Sequence, residues 1–190
     1  MHMRQKKNKG FTMAELLIVV AIIAVLVAVA IPIFNSKLET SREAYDIATM
    51  RQAASLATQF YYDGVVDEAS ANKAGLKWWK NDGKNQANAA GIYNPSTGTF
   101  TPKQSNESGA PAAYGKGTST DTEKEYTFNG DRKFYNPAAD YSNGVVLVSI
   151  YPLGDHPHID VYWKDRTSGE YIGGKNGAND PAYSIRININ

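Results

Sequence analysis

Cysteine is absent from this sequence of 190 residues, so the chain contains no disulfide. Any fold that it adopts must be secured by packing and hydrogen bonds. Histidine is scarce as well, with three residues, whereas 42% of the residues are hydrophobic and 21% are charged. This composition suits one modest globular domain plus an apolar segment, and it argues against disorder over the whole length.

The usual signatures of catalytic and nucleotide-binding sites are also missing. The sequence contains no GxxxxGK[ST] phosphate loop and no GxSxG nucleophile turn. Gly173, Gly174 and Gly177 make a flexible corner and not a nucleotide fingerprint. Because no constellation of catalytic residues emerges, we expect neither an enzyme nor a bound cofactor.

Metal ligands are too few for a convincing site. His156 and His158 lie on either side of Pro157, with Asp155 and Asp160 nearby, but no third ligand group is identifiable. Histidines in surface loops are usually just polar residues. We therefore expect no metal here.

Charge is missing from one long stretch near the N-terminus, where no charged residue occurs from Leu16 to Ser36. At about 1.5 Å per residue, a helix over these positions reaches across a hydrocarbon core of roughly 30 Å. Residues 1–10 carry four cations and no acid: Arg4, Lys6, Lys7 and Lys9. Because basic flanks stay in the cytoplasm, we expect the N-terminus to be cytoplasmic and everything after Ser36 to be outside.

Glu15 is the one acid at the boundary of this apolar run. A carboxylate that enters a bilayer is costly unless it is paired, so such acids are functional candidates with a partner to be named. The nearby cations are those of the leader, unless the chain is cut between Gly10 and Phe11. In that case the new α-ammonium of Phe11 lies one helical turn before Glu15, or reaches the Glu15 of a neighbouring copy.

The run of leader lysines is followed by Gly10, Phe11, Thr12, Met13, Ala14, Glu15 and Leu16, then by a long aliphatic stretch and Pro32. This arrangement resembles the class III signal of type IV pilins and their relatives. The resemblance implies that a prepilin peptidase cuts between Gly10 and Phe11 and that Phe11 is N-methylated. It also implies that Glu15 aids docking of the subunit into a filament. Met13 stands where the family more often has leucine.

The resemblance further implies where the protein acts and with what. A precursor stored in membrane lipid, single-pass in the cytoplasmic membrane, would meet the pilus assembly machinery there and join a homo-oligomeric helical filament. The expected final location is a pilus on the cell surface, with a role in adhesion, motility or related functions. Without the leader the chain has 16 basic and 19 acidic residues, so a broad nucleic-acid-binding surface is not expected.

Several alternatives stay open. An ordinary secretory signal would be cut after the apolar run, where Ala28 to Ala30 offers an A-x-A-like site, but Pro32 and the amphipathic continuation favour retention. A pseudopilin of a type II secretion or competence system shares the same N-terminal motif. A membrane-anchored binding module or enzyme would use the apolar segment only as an anchor.

The C-terminal region departs from the pattern that many type IV pilins show, because no disulfide can close its loop. Related pseudopilins use a calcium loop there, and Asn176, Asn179 and Asp180 are oxygen donors. However, they lack EF-hand spacing, and such residues are also simple turn formers. We therefore expect no calcium site.

The pattern from Phe11 to Tyr62 predicts one long helix, with residues 11–36 as the membrane or filament core. Its second half is amphipathic, with an apolar stripe formed by Tyr45, Ile47, Met50, Ala53, Ala54, Leu56, Ala57, Phe60 and Tyr61. Solvated positions are expected at Glu39, Arg42, Glu43, Asp46 and Arg51. The stripe is a surface on which a sheet can pack.

Pro32 removes a backbone donor from this helix and crowds the preceding turn. The β-branched residues before it hold a helix less firmly in water than in lipid. Two outcomes are open: a fixed kink, or a segment that is helical in the membrane and extends locally once the subunit enters a filament.

Residues 63–190 are expected to form a globular pilin domain, which gives an α+β fold of one long helix packed against a C-terminal antiparallel sheet. Residues 63–124 should be mostly loop, with a short helical piece near Glu68 to Lys80. Of Trp78 and Trp79, we expect one packed inward and one half exposed, a ligand-binding surface being the alternative. Residues 125–190 should form the sheet, with strands near 125–129, 144–153, 158–164 and 183–189. In the last of these, Tyr183, Ile185, Ile187 and Ile189 should be buried, and Ser184, Arg186 and Asn188 should face water.

Overall fold

A computed structural model of the chain describes residues 10–80, 86–120, 126–128, 132–177 and 180–189. The chain divides into two compact units, Met1–Thr40 and Ser41–Asn190. The four basic residues of the N-terminal segment, Arg4, Lys6, Lys7 and Lys9, lie outside the described residues.

Helix α1 runs from Met13 to Tyr62 and passes through Pro32 without a break. Its start and its length agree with the pattern of the sequence. A second helix, α2, spans Glu68–Lys73. It is capped by the preceding residue, Asp67, whose side chain accepts a hydrogen bond from the backbone amide of Ser70 at 2.8 Å. This cap satisfies a backbone donor that a helix start leaves open.

The strands build two antiparallel sheets. The larger sheet has the order β1-β2-β6-β7-β8, with β3 paired to β2, and the smaller is the pair β4-β5. Their bounds are Lys77–Trp79, Asn88–Asn94, Thr99–Thr101, Tyr126–Phe128, Arg132–Tyr135, Gly144–Tyr151, His158–Asp165 and Ile185–Asn188 for β1 to β8 in chain order. The prediction of an α+β fold with a long N-terminal helix and an antiparallel sheet is confirmed.

The core of the second unit lies between one face of the larger sheet and α1 from Ser41 onward. Alternate residues of the central strands, such as Val148 on β6 and Val161 on β7, are fully buried together with Met50 of α1. The opposite face of the sheet carries a smaller cluster of Ile92, Val145, Leu147 and Tyr162. Because successive side chains of a strand point to opposite faces, the two clusters separate by residue parity.

The structure corrects the expected loop region. Residues 63–124 contain α2 and the three strands β1 to β3, and the unpredicted β5 lies at Arg132–Tyr135. The segment NAAGIYN of β2 is poor in β-branched residues, and it becomes a strand because both of its edges are paired, to β6 on one side and to β1 and β3 on the other. The predicted helical piece is shorter than expected and ends at Lys73.

The last strand also differs in detail from the expected alternation. Ser184 is fully buried, whereas Tyr183 and Ile187 are only partly buried. Ser184 precedes the paired part of β8, and its backbone amide donates to the carbonyl of Lys133 on β5 at 3.1 Å. Its burial therefore follows from contact with the smaller sheet and not from the alternation of β8.

Candidate functional site

The start of α1 is closed by a reciprocal pair of hydrogen bonds between Thr12 and Glu15. The amide of Glu15 donates to Thr12 Oγ1 at 3.2 Å, and the amide of Thr12 donates to Glu15 Oε2 at 2.8 Å. The Thr12 hydroxyl also donates to Glu15 Oε2 at 2.8 Å. This is a capping box, in which the residue before the helix and the third helical residue satisfy each other's backbone donors. The carboxylate at the apolar boundary thus has a partner within its own chain.

This partner of Glu15 was not predicted from the sequence, although the sequence contains a signal for it. A threonine followed three residues later by glutamate, directly before an apolar run, is the typical signature of a capping box. The charge of Glu15 by itself points only to a cation as its partner. The hydroxyl of Thr12 fixes the glutamate side chain as well as the helix start.

Gly10 and Phe11 precede the helix and are exposed. Phe11 is 88% exposed, and a Cβ built on Gly10 would meet no heavy atom within 4 Å. The peptide bond between these two residues therefore lies in an accessible segment just before the capping box.

The first part of α1 presents apolar side chains around its whole circumference. Large aliphatic residues from Leu16 to Ile33 are all exposed, and the helix is long and apolar enough to cross a membrane. A helix that is apolar all round needs lipid or other helices around it, because water is an unfavourable neighbour for such a surface.

In the second unit, the structure buries two acids that were expected to be solvated. Asp46 is 0% exposed, and its carboxylate accepts hydrogen bonds from the backbone amides of Lys116 at 2.9 Å and Gly117 at 2.7 Å. The hydroxyl of Tyr135 donates to the same carboxylate at 3.2 Å. Asp46 therefore anchors the loop of residues 102–120 and the strand β5 to α1.

Glu43 lies one turn earlier on α1 and has a related role. Its carboxylate accepts a hydrogen bond from the hydroxyl of Tyr126 on β4 at 2.9 Å. Burial and this hydrogen bond raise the pKa of Tyr126 to about 12. Burial and the nearby Asp46 likewise raise the pKa of Tyr135 far above its usual range.

A chain of alternating charges ties the C-terminal segment to the sheet. Arg186 on β8 donates through Nε and Nη2 to the two oxygens of Asp160 on β7 at 2.7 and 2.6 Å. Asp180 lies 3.5 Å from Arg186 and accepts a hydrogen bond from Arg132 of β5 at 2.8 Å. Arg132 also donates to the carbonyl of Pro181 at 3.2 Å. The C-terminal segment, which contains no cysteine for a disulfide, is thus held to the sheet by contacts between arginines and aspartates.

The same contacts involve residues that the sequence offered as metal ligands. The carboxylate of Asp180 contacts two arginines, and the backbone amide of Asn176 donates to the backbone carbonyl of Asp180 at 2.8 Å. Asn179 lies outside the described residues. The His158 ring stacks on Tyr151 at 4.5 Å between centroids. Within the described ranges, no group of three or more histidine, aspartate or glutamate side chains is placed to hold a metal ion.

The fold and the N-terminal segment define a class of protein: one with a basic N-terminal segment, a long apolar helix and an antiparallel-sheet unit. A family model described as the prokaryotic N-terminal methylation motif matches residues 5–31. Fimbrial protein EcpC of Eikenella corrodens is 36% identical over 76 residues, which is 39% of this chain and 48% of the relative. No solved structure gives a significant match.

The chain thus carries, over residues 5–31, the methylation motif that is the class III signal of type IV pilins, and part of it is similar to a fimbrial protein. This confirms the resemblance seen in the sequence. The chain spans about half the length of the curated relative that it matches.

Proposed function

We propose that this chain is the structural subunit of a type IV pilus. It is stored in the cytoplasmic membrane with its N-terminus inside, cut between Gly10 and Phe11 by a prepilin peptidase, and N-methylated at Phe11. The observation that carries the proposal is the continuity of three features over residues 5–36: the methylation motif, the capped glutamate, and an uncharged apolar helix.

Assembly exchanges lipid contacts of the apolar helix for contacts with the same helix of neighbouring subunits. Little apolar area is gained in this exchange, because lipid tails are as apolar as the helices. Complementary packing and the pairing of polar groups must therefore set the register of the filament. Glu15 is the acid available for this purpose, and the new ammonium of Phe11 in a neighbouring copy is the cation that we propose for it.

The capping box assists this step. While the precursor waits in the membrane, the carboxylate of Glu15 accepts two hydrogen bonds from Thr12 and does not enter the apolar region unpaired. The same contacts hold the carboxylate at the helix start, beside the end that cleavage creates. Thr12 is therefore a positioning residue for Glu15.

The test is mass spectrometry of the N-terminus after co-expression with a prepilin peptidase. We expect a chain that begins with methylated Phe11, and an uncut chain when the peptidase is catalytically inactive. The variant Gly10→Val should also remain uncut, and a Cβ at this position would meet no described heavy atom within 4 Å beyond the neighbouring residues. An intact Met1 in the presence of active peptidase would instead indicate a membrane-anchored binding module and would refute the proposal.

Electron microscopy of material sheared from cells that express the chain with its assembly machinery supplies the second arm. Filaments that contain the chain without its first ten residues are expected. Methylated chain that stays in the membrane, with no filaments, would favour a pseudopilin role.

A further inference from the structure

A polar cleft lies on the face of the larger sheet that α1 does not cover. It measures about 240 Å³ and is floored by side chains of β2, β6 and β7. These side chains, Asn88, Ser149 and Tyr162 among them, have the opposite parity to the residues that pack on α1. The cleft is therefore independent of the face that α1 occupies.

Residues with hydroxyl groups cluster on the floor of the cleft. Ser149 Oγ and Tyr162 Oη are hydrogen-bonded at 3.0 Å, and both residues are buried. Tyr151 and Tyr171 line the same cleft. A lining with four hydroxyl-bearing residues matches a ligand that itself carries many hydroxyls.

Aromatic rings and amide side chains form the walls. Trp79 is 37% exposed at the edge strand, and Tyr171 stands edge-on to Tyr162 with 5.2 Å between ring centroids. The amides of Gln86, Asn88 and Gln104 line the same cleft. A sugar ring has an apolar face of C–H groups and a rim of hydroxyls, so flat rings beside amide groups fit both of its surfaces.

The described residues that line the cleft include Lys80 and Lys164 and no aspartate or glutamate. Asp160, the cross-strand partner of Ser149 on the same face, is 5% exposed and is bound by Arg186. Lys80 also lies 3.5 Å from the exposed Glu68, whereas Lys164 is half-buried, with its ammonium 4.6 Å from the centre of the Tyr171 ring. Glu170, the carboxylate that acts on Lys164, already forms an ion pair with Lys175 at 2.5 Å. A half-buried ammonium beside acids that already have cationic partners favours an anionic group on the ligand.

We propose that this cleft binds an acidic saccharide, with the sugar ring against Trp79 and Tyr171, its hydroxyls near the Ser149–Tyr162 pair, and its carboxylate on Lys164. All residues of this cleft lie in the second unit. The proposed saccharide binding can therefore be tested separately from filament assembly.

The test is isothermal titration calorimetry of the full chain in a detergent without a sugar headgroup. The probes are tetragalacturonic acid and, as the uncharged comparison, maltotetraose. We expect saturable binding of the acidic tetrasaccharide, weaker at high salt, and at least tenfold weaker binding of the neutral one.

Two variants and two matched controls locate the site. Lys164→Gln and Trp79→Ala should each weaken binding of tetragalacturonic acid about tenfold or more. Lys73→Gln and Tyr62→Ala remove an exposed lysine and an exposed tyrosine elsewhere, and should change the affinity less than about twofold. Unchanged circular dichroism would show that the variants fold.

Three outcomes would overturn the proposal. They are no binding of either sugar by the folded chain, equal binding of the neutral sugar, and equal loss of affinity in the control variants.

Discussion

Asp46 and Gly117 are 71 residues apart in the chain, yet the backbone amide of Gly117 donates a hydrogen bond to Asp46 Oδ2 at 2.7 Å. This contact fastens the loop of residues 102–120 to α1. The space at position 117 favours glycine, because a Cβ there would collide with the hydroxyl of Tyr135 and crowd the carboxylate of Asp46. A buried carboxylate that accepts several hydrogen bonds is therefore the central polar anchor of the second unit.

The substitution Asp46→Asn should destabilise the second unit by about 2–4 kcal/mol, because one amide NH₂ would face backbone N–H donors in a dry environment. Urea unfolding followed by tryptophan fluorescence reports on this unit, since Trp78, Trp79 and Trp163 all lie in it. Asp140→Asn is the matched control, because Asp140 is exposed and accepts its bond from the amide of Ser142 within a turn. Equal effects of both substitutions would contradict the anchoring role of Asp46.

The pair Arg186 and Asp160 should show a characteristic asymmetry. Arg186→Met leaves a carboxylate that is 5% exposed without its bidentate partner, and should cost about 3–5 kcal/mol. The double substitution Arg186→Met with Asp160→Leu removes the stranded charge and should recover part of this loss. His158, whose Nε2 lies 3.8 Å from Asp160, remains in both variants. A double variant less stable than the single one would contradict this expectation, because it would show that Asp160 stabilises the fold even without Arg186.

Alkaline pH should unfold the second unit. Burial raises the pKa of Tyr126 to about 12, and burial also raises the pKa of Tyr135 and Tyr141 far above their usual range. In the unfolded chain these phenols ionise near pH 10, so their stabilisation is complete below about pH 10 and is lost as the pH rises towards the folded values.

Unfolding and phenol ionisation, followed by phenolate absorbance, should therefore occur together above about pH 10. Tyr126→Phe should reduce the steepness of this loss. A urea midpoint that stays constant to about pH 12 would contradict the expectation.

The capping box predicts a graded effect on filaments. Glu15→Ala should lower pilus yield without changing the urea unfolding of the second unit, because Glu15 lies in the other unit. Thr12→Ser keeps a hydroxyl that can cap the helix and should assemble normally, whereas Thr12→Ala should assemble less well. Shearing the cells and blotting for the chain gives the yields. Normal filaments from both Glu15→Ala and Thr12→Ala would refute the proposed pairing.

The sequence predicted the elements whose causes are local. An uncharged apolar run and a recurring stripe at steps of three and four predict α1, and β-branched residues flanked by turns predict β6 and β7. The strands β1 to β3 escaped prediction because their cause is distant. For example, β2 contains Gly91, where a Cβ would lie 2.9 Å from Leu76 Cδ2 and 3.0 Å from the carbonyl oxygen of Thr101. Only this close approach, invisible in the sequence, explains the small residue.

The residues of the candidate site also differ in whether the local sequence reveals their surroundings. Gly10, Phe11 and Glu15 could be proposed from the sequence because they belong to one short motif. Asp46 and Glu43 were assigned to solvent because the helical pattern shows only that they lie beside the apolar stripe. Their hydrogen-bond partners are 70 or more residues further along the chain. The pairing of Arg186 with Asp160 depends likewise on the register of β7 and β8.

The arginine–aspartate chain at the C-terminal segment has a consequence for the conditions under which the second unit stays folded. A domain closed by sulfur bridges needs an oxidant to mature and loses its closure to thiols. This one needs neither an oxidant nor an isomerase, and reductants leave its closure intact. Its susceptibility lies elsewhere: concentrated electrolyte and strong acid, which screen or neutralise the aspartates, are the conditions that loosen it.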